Sequence, residues 1–475
     1  MMRVLFVGSG LCSACGLGVD LPKHLIEAGV HVDTIVPHTD GIDEGVAKLA
    51  LRAVQCETKF DGQTIAVDVL EGRNEAHDRI FYLDAPQLRS ALTLGTETGI
   101  CGSMIYAQAV CDWITKAPIA YDVIHCDGLI ASLVATLMRT RYGSCKRVSN
   151  AKVLVSLPGI EDKGAVDLSY IAKLGLPSSL STSEGLEFYG RMSILKGAYL
   201  YADALCFPTD GVKNTIRKNV GKDIGMEGVL FDKLDKIYSV SFGIDRSLYA
   251  PETGKHIESM FDANHIDGKA KCKAALTRRL KLDKSKPLVA FVGRLAASSG
   301  IDLVNDILDD LMDQDVSLLV MGVGGEAYNN AVSSWTQEFK GRVAWIDHVP
   351  TTDELRQVMS AADILLLPNK QESSSRLHLM AMRYGAVVVA RTQGMVSADI
   401  VPVMDIDHVE SHQNGFTFEK YDADEFYNAA MDALDLVHTK DWEMLRTNAM
   451  NTHSDIKDTA KDCVKIYDAI LNASR

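Results

Sequence analysis

No uncharged apolar stretch in this chain approaches the roughly 18 to 20 residues that a membrane-spanning helix needs. Positive charge is scarce as well: 49 Lys and Arg face 63 Asp and Glu, a net charge of −14. That field repels nucleic acid and anionic membranes, so neither is an expected partner. The ten cysteines in 475 residues lack the density of a disulfide-stapled secreted scaffold. Reduced thiols in a cytoplasmic setting, or a plastid-like compartment if the source is eukaryotic, fit better. Gly and Pro together number only 48, and there is no repeat, low-complexity segment or long charge run, which argues against disorder. Three chemical motifs are missing: the spaced dinucleotide fingerprint, the Walker phosphate loop and the serine nucleophile elbow.

The chain instead shows a regular alternation of buried strands and helices. Residues 3–8, Arg-Val-Leu-Phe-Val-Gly, form an almost continuous apolar run, as a parallel strand covered on both faces requires. One basic residue precedes the run, and Gly8, Gly10, Gly16 and Gly18 break it up, so the segment reads as strand plus glycine loop rather than a signal peptide. A helix over Leu21–Gly29 and a strand over Val32–Val36 come next, and the pattern recurs at Tyr121–His125, Lys152–Val155 and Ala204–Phe207. A second cycle starts at Pro287–Gly293 and continues through Ser317–Gly322, Asp363–Pro368 and Ala386–Ala390. The fold class is therefore α/β, with two Rossmann-like doubly wound domains in tandem. A boundary is expected between Ser241 and Pro251, giving an N-terminal domain over 1–245, a C-terminal domain over 246–450, and a closing helix over 451–475 that packs back towards the first domain.

Ligands of such sheets sit beyond the carboxyl ends of the strands, which directs attention to the loops after Val7, Val292 and Leu367. In the first, Gly16 and Gly18 allow backbone to approach an oxyanion closely. The same loop carries Cys12-Ser-Ala-Cys15, spaced like a redox or metal pair. No second pair exists, so the thiols read as small residues packing a turn, with a redox role as the alternative. In the second loop Arg294 follows a buried strand directly, and its planar fork suits a diphosphate; a strand-end salt bridge is the structural alternative. In the third, Glu372-Ser373-Ser374-Ser375-Arg376 precedes a helix, where serines cap and free amides favour an anion.

Taken in order, these segments resemble the bacterial glycogen synthase and plant starch synthase family, glucosyltransferases of the GT-B architecture. The resemblance rests on Glu184–Ala198 followed by Tyr201-Ala202-Asp203, and on Gly225–Leu230, Phe242–Asp245, Arg294-Leu295, Arg383-Tyr384-Gly385 and Gly415–Phe418. It implies two domains facing a central cleft in which a nucleotide-diphosphoglucose, ADP- or UDP-linked, donates glucose with retained configuration to an α-1,4-glucan. No other cofactor and no metal are implied. Arg294 matches the arginine of the family's R-L-x-x-x-K-G, which stabilises the leaving diphosphate, while its lysine falls on Ser299. Glu372 matches the glutamate of E-P-C-G-L that holds the transferred sugar, with amides of Ser373, Ser374 and Ser375 behind it on the phosphate. Catalytic roles thus fall to Arg294 and Glu372.

Departures fall on polar groups. The lysine of K-T-G-G-L has no counterpart in Ser13–Leu17, H-D-W-H aligns with Asp127-Gly128-Leu129-Ile130, I-H-N with Ser156-Leu157-Pro158, and the asparagine of N-G-[IV]-D is Phe242. Arg376 stands where the family has an apolar residue, and is expected to replace the missing lysine charge. Two readings stay open at this stage: a divergent glucosyltransferase, or an inactive relative that binds glucan or nucleotide and partners an active synthase, as an oligomer or in a complex.

Overall fold

The computed structural model describes residues 1–9, 18, 20–40, 51–73, 79–90, 92–160, 162–210, 213–214, 226–370 and 376–473. The chain divides into two compact units, one comprising Met1–Phe242 with Ile456–Arg475 and the other Gly243–Asp455. The first unit is thus built from two separate stretches of chain, and the second from one.

The first unit is organised on a nine-stranded sheet. Its strands in chain order are β1 (Arg3–Val7), β2 (His31–Pro37), β3 (Leu51–Phe60), β4 (Gln63–Arg73), β5 (Arg79–Asp84), β6 (Val123–Asp127) and β7 (Lys152–Ser156). Three short strands, β8 (Ala165–Asp167), β9 (Glu187–Phe188) and β10 (Arg191–Ser193), form a separate antiparallel sheet, and β11 (Ala204–Phe207) and β12 (Ile237–Ser239) complete the large one. The large sheet has the order β12-β11-β7-β6-β1-β2-β5-β4-β3. Pairing is parallel from β12 to β5, and β4 and β3 extend the sheet antiparallel. Covered on both faces, the central strands are apolar throughout: Val4, Leu5, Phe6 and Val7 are all buried. The β3–β4 hairpin turns on Asp61-Gly62, both with positive φ (50° and 73°), in register Phe60 with Gln63. Asp-Gly is the dipeptide that a tight two-residue turn of this hand prefers.

The second unit carries β13 (Leu288–Val292), β14 (Ser317–Met321), β15 (Val343–Ile346), β16 (Ile364–Leu367), β17 (Val387–Arg391) and β18 (Gly415–Phe418), all parallel, in the order β15-β14-β13-β16-β17-β18. In each unit the strand order reverses at one place. The reversal lies between β1 and β6 in the first and between β13 and β16 in the second, and a doubly wound sheet opens a crevice at that switch point.

The signature stretches are structural. Lys196 is buried, and its ammonium donates to the Glu187 carbonyl at 2.7 Å and the Ser183 carbonyl at 2.5 Å, fastening its helix to the small sheet. Beside it Gly197 lets that helix approach the helix Leu129–Arg139, because a Cβ there would lie 2.3 Å from Thr136 Oγ1. Asp203 joins Arg139 at 2.6 Å, Lys152 at 3.3 Å and the Val153 amide at 2.8 Å, tying helix to strand.

Among the described residues no helix is long and apolar enough to cross a membrane, and no three His, Cys, Asp or Glu side chains converge as a metal site would need.

Candidate functional site

At the switch point of the first unit, β1 ends at Val7, just before Gly8, and β6 ends at Asp127. The Gly8 carbonyl accepts the hydroxyl of Tyr106, a fully buried residue of the helix Glu97–Lys116. Gly18, with φ +52°, donates its amide to Asp127 Oδ2 at 3.1 Å. Asp127 Oδ1 is 2.9 Å from Ser156 Oγ, Ser156 Oγ is 2.9 Å from His125 Nε2, and His125 Nδ1 is 2.6 Å from the Tyr467 hydroxyl. Gly16, Cys12 and Cys15 lie outside the described residues.

The direction of the protons in this chain is set at its carboxylate end. An ionised carboxylate only accepts, so Ser156 donates to Asp127. Ser156 then accepts from His125 Nε2–H, which leaves Nδ1 to accept from the Tyr467 hydroxyl. Burial drives the His125 pKa from 6.5 down to about 3, so the imidazole stays neutral and this tautomer holds. A serine that gives its proton to a carboxylate has no base to activate it. The triad-like row is therefore a positioning network that fixes Asp127, and through it Gly18, at the strand ends.

The switch point of the second unit is built differently. Arg294, exposed, follows β13 and Gly293. Its loop closes on itself: Ser299 Oγ bonds the Arg294 carbonyl and lies 2.9 Å from the Ala296 carbonyl. Gly300 has φ +80°, and a Cβ there would fall 2.0 Å from the Pro368 carbonyl oxygen, so the loops after β13 and β16 touch backbone to backbone. The Lys370 amide donates to the Ser298 carbonyl at 3.0 Å, and Arg391, at the end of β17, donates to the Lys370 carbonyl at 2.9 Å. The Lys370 ammonium stands 5.1 Å from the Tyr421 ring centroid and the Arg391 guanidinium 5.8 Å from it. Tyr421 in turn donates to Asp302 at 2.6 Å, and burial together with that carboxylate raises its own pKa.

Sequence reasoning places Arg294 and Ser299 on one loop, and so they are. Ser299, however, turns its hydroxyl onto its own loop's carbonyls. Glu372, Ser373, Ser374 and Ser375 lie outside the described residues. Arg376, expected to supply charge to a phosphate, is fully buried, and its Nη1 donates to the Gly243 carbonyl at 2.7 Å. A guanidinium inside the protein and bonded to its backbone braces the start of the second unit. Sequence reasoning missed Lys370, although a cation three residues beyond a buried strand was a legible signal. It also missed the pairing of His125 with Tyr467, for which 342 residues of separation left no signal.

Comparison with known proteins agrees with this architecture. Residues 3–231 match the family model of the starch synthase catalytic domain, and 286–435 match that of glycosyl transferases group 1. The chain is 28% identical to a glycogen synthase of Thermotoga petrophila, covering 99% of each, and 28% identical to one of Bacillus licheniformis, covering 95% and 94%. In structure it is similar to the catalytic domain of starch synthase IV from Arabidopsis thaliana bound to ADP and acarbose (TM-score 0.87, 20% identity, 99% of each chain). Sucrose-phosphate synthase from Thermosynechococcus elongatus is more distant, with a TM-score of 0.64 at 16% identity over the full length of both chains. Two doubly wound units with these signatures identify a glycosyltransferase of the glycogen and starch synthase type, and the chain belongs to that GT-B family.

Proposed function

We propose that the chain is a retaining glucosyltransferase that moves glucose from ADP- or UDP-glucose to an α-1,4-glucan in the cytoplasm or a comparable compartment. The observation that carries this reading is Arg294, an exposed guanidinium without an ion-pair partner among the described residues, at the switch point of the second unit. As the bond from the anomeric carbon to the diphosphate breaks, negative charge grows on the leaving group. A forked cation fixed at a strand end stabilises that charge without reorganising. Glu372 and the amides of Ser373, Ser374 and Ser375 take the roles the family gives them, on the sugar and the phosphate. The starch synthase IV neighbour, bound to ADP and acarbose, supports the donor and glucan classes.

One observation favours a second reading, a nucleotide- or glucan-binding partner of an active synthase. Asp127 falls on the first histidine of the family's H-D-W-H and Ile130 on the second, and the Asp127 carboxylate is engaged by Ser156 and Gly18. Incubating the protein with ADP-glucose or UDP-glucose and maltoheptaose separates the two. Release of nucleoside diphosphate that is lost on Glu372→Ala supports the transferase. Calorimetric binding of nucleotide or glucan with no release over long times supports the binding partner, and neither binding nor release overturns both.

A further inference from the structure

Arg294 alone leaves a diphosphate half neutralised, which raises the question of where the second charge comes from. Of the cations at this strand end, Arg376 is buried against Gly243 and Arg391 is committed, its guanidinium donating to the carbonyls of Glu419 at 3.0 Å and Lys370 at 2.9 Å. Lys370 differs from both. It is exposed and has no carboxylate within ion-pair distance among the described residues. Nor is it a loosely tethered surface lysine. Its amide is held by Ser298 of the Arg294 loop, its carbonyl by Arg391, and its ammonium rests over the Tyr421 ring. The loops carrying Arg294 and Lys370 follow β13 and β16, the two strands that flank the switch point. The Lys370 ammonium and the Arg391 guanidinium also both lie within 6 Å of the Tyr421 ring centroid, at 5.1 and 5.8 Å, while Asp302 accepts the Tyr421 hydroxyl. Two positive charges beside one ring, without a carboxylate paired to either among the described residues, favour an anion nearby.

We infer that Lys370 is a diphosphate-binding residue, acting across the switch point from Arg294. The inference rests on the donor reading above and assigns the second charge of that same site. The Tyr421 face and the two backbone bonds set the ammonium in place before the ligand arrives, so little side-chain freedom is lost on binding.

The test is calorimetry of the full chain with ADP, UDP and inorganic pyrophosphate, comparing wild type with Lys370→Gln, Lys370→Arg and Lys370→Gln combined with Ser299→Lys. Removing one charge-assisted contact is expected to weaken binding of nucleoside diphosphate and pyrophosphate by about 10- to 100-fold. Lys370→Arg is expected to retain most of the affinity, and Ser299→Lys, on the loop that holds the Lys370 amide, to restore much of it. An unchanged thermal midpoint in Lys370→Gln, as an exposed position predicts, assigns the loss to binding. Wild-type binding that Lys370→Gln leaves within twofold overturns this inference and spares the donor reading. Absence of nucleoside diphosphate binding by wild type overturns both.

Discussion

The two units share a plan and differ in what they do with polar groups at their strand ends. In the first, Asp127, Ser156, His125 and Tyr467 satisfy one another in a buried row closed by the Gly18 amide. In the second, Arg294 and Lys370 stand exposed, their loops joined by backbone bonds, with no carboxylate in ion-pair distance among the described residues. Bonds made inside the protein stabilise the fold and are unavailable to a ligand, whereas charge held out in water adds little to stability and is ready for an anion. The difference teaches where an anion could be met and where architecture is fixed: cations open to solvent at the strand ends of the second unit, a self-satisfied polar row at the corresponding place in the first.

Variants can sharpen or break that contrast. The largest effect is expected from Arg294→Ala, with diphosphate release from the sugar donor falling about 100- to 1,000-fold and a denaturation midpoint unchanged because the side chain is exposed. Gly300→Ala is expected to cost about 3 kcal/mol in urea unfolding, since it forces a side chain into a left-handed φ and against the Pro368 carbonyl. It also parts the loops that carry Arg294 and Lys370, so nucleotide affinity should fall with it. In the first unit, Ser156→Ala removes the acceptor of His125 Nε2–H and a donor to Asp127, an expected loss of about 2 kcal/mol in stability with ADP affinity untouched. If Ser156→Ala instead abolished ADP binding at unchanged stability, the division of labour between the units would be wrong. Tyr467→Phe removes only the donor to His125 Nδ1 and should cost about 1 kcal/mol by the same measurement.

The last expected effect is confined to acid pH. His125 is neutral when folded, its pKa lowered from 6.5 to about 3 by burial. Between those values the unfolded chain binds a proton that the folded chain does not, so stability falls as the pH drops from 6.5 towards 3 and owes nothing to this group above that window. His125→Asn should flatten that part of the stability profile measured by thermal melts; an unaltered slope would show that another group sets it.

The scaffold is legible in the sequence because its signals are local. Alternating apolar runs mark the parallel strands of both sheets, and the stretch around Lys196 and Asp203 identifies the family because those side chains brace helix against strand. The antiparallel β3–β4 extension goes unread, although Asp61-Gly62 marks its turn. At the site, Arg294 is visible as a charge immediately after a strand. Arg376 misleads because sequence position cannot tell a guanidinium facing a crevice from one folded inward onto Gly243. Lys370 is legible as a cation just beyond a strand, but its partners Ser298, Arg391 and Tyr421 appear only when three strand ends come together, and those of His125 only when the last helix is in place.

That last helix, Ile456–Asn472, sets the order in which the molecule can be completed. Because the chain leaves the first unit at Phe242 and rejoins it at Ile456, a ribosome finishes the second unit before the first has all its parts. Until Tyr467 emerges, His125 has an imidazole nitrogen without its donor, so a nascent chain holds a complete second unit attached to an unfinished first one. Truncation ahead of residue 456 would freeze the protein at that stage.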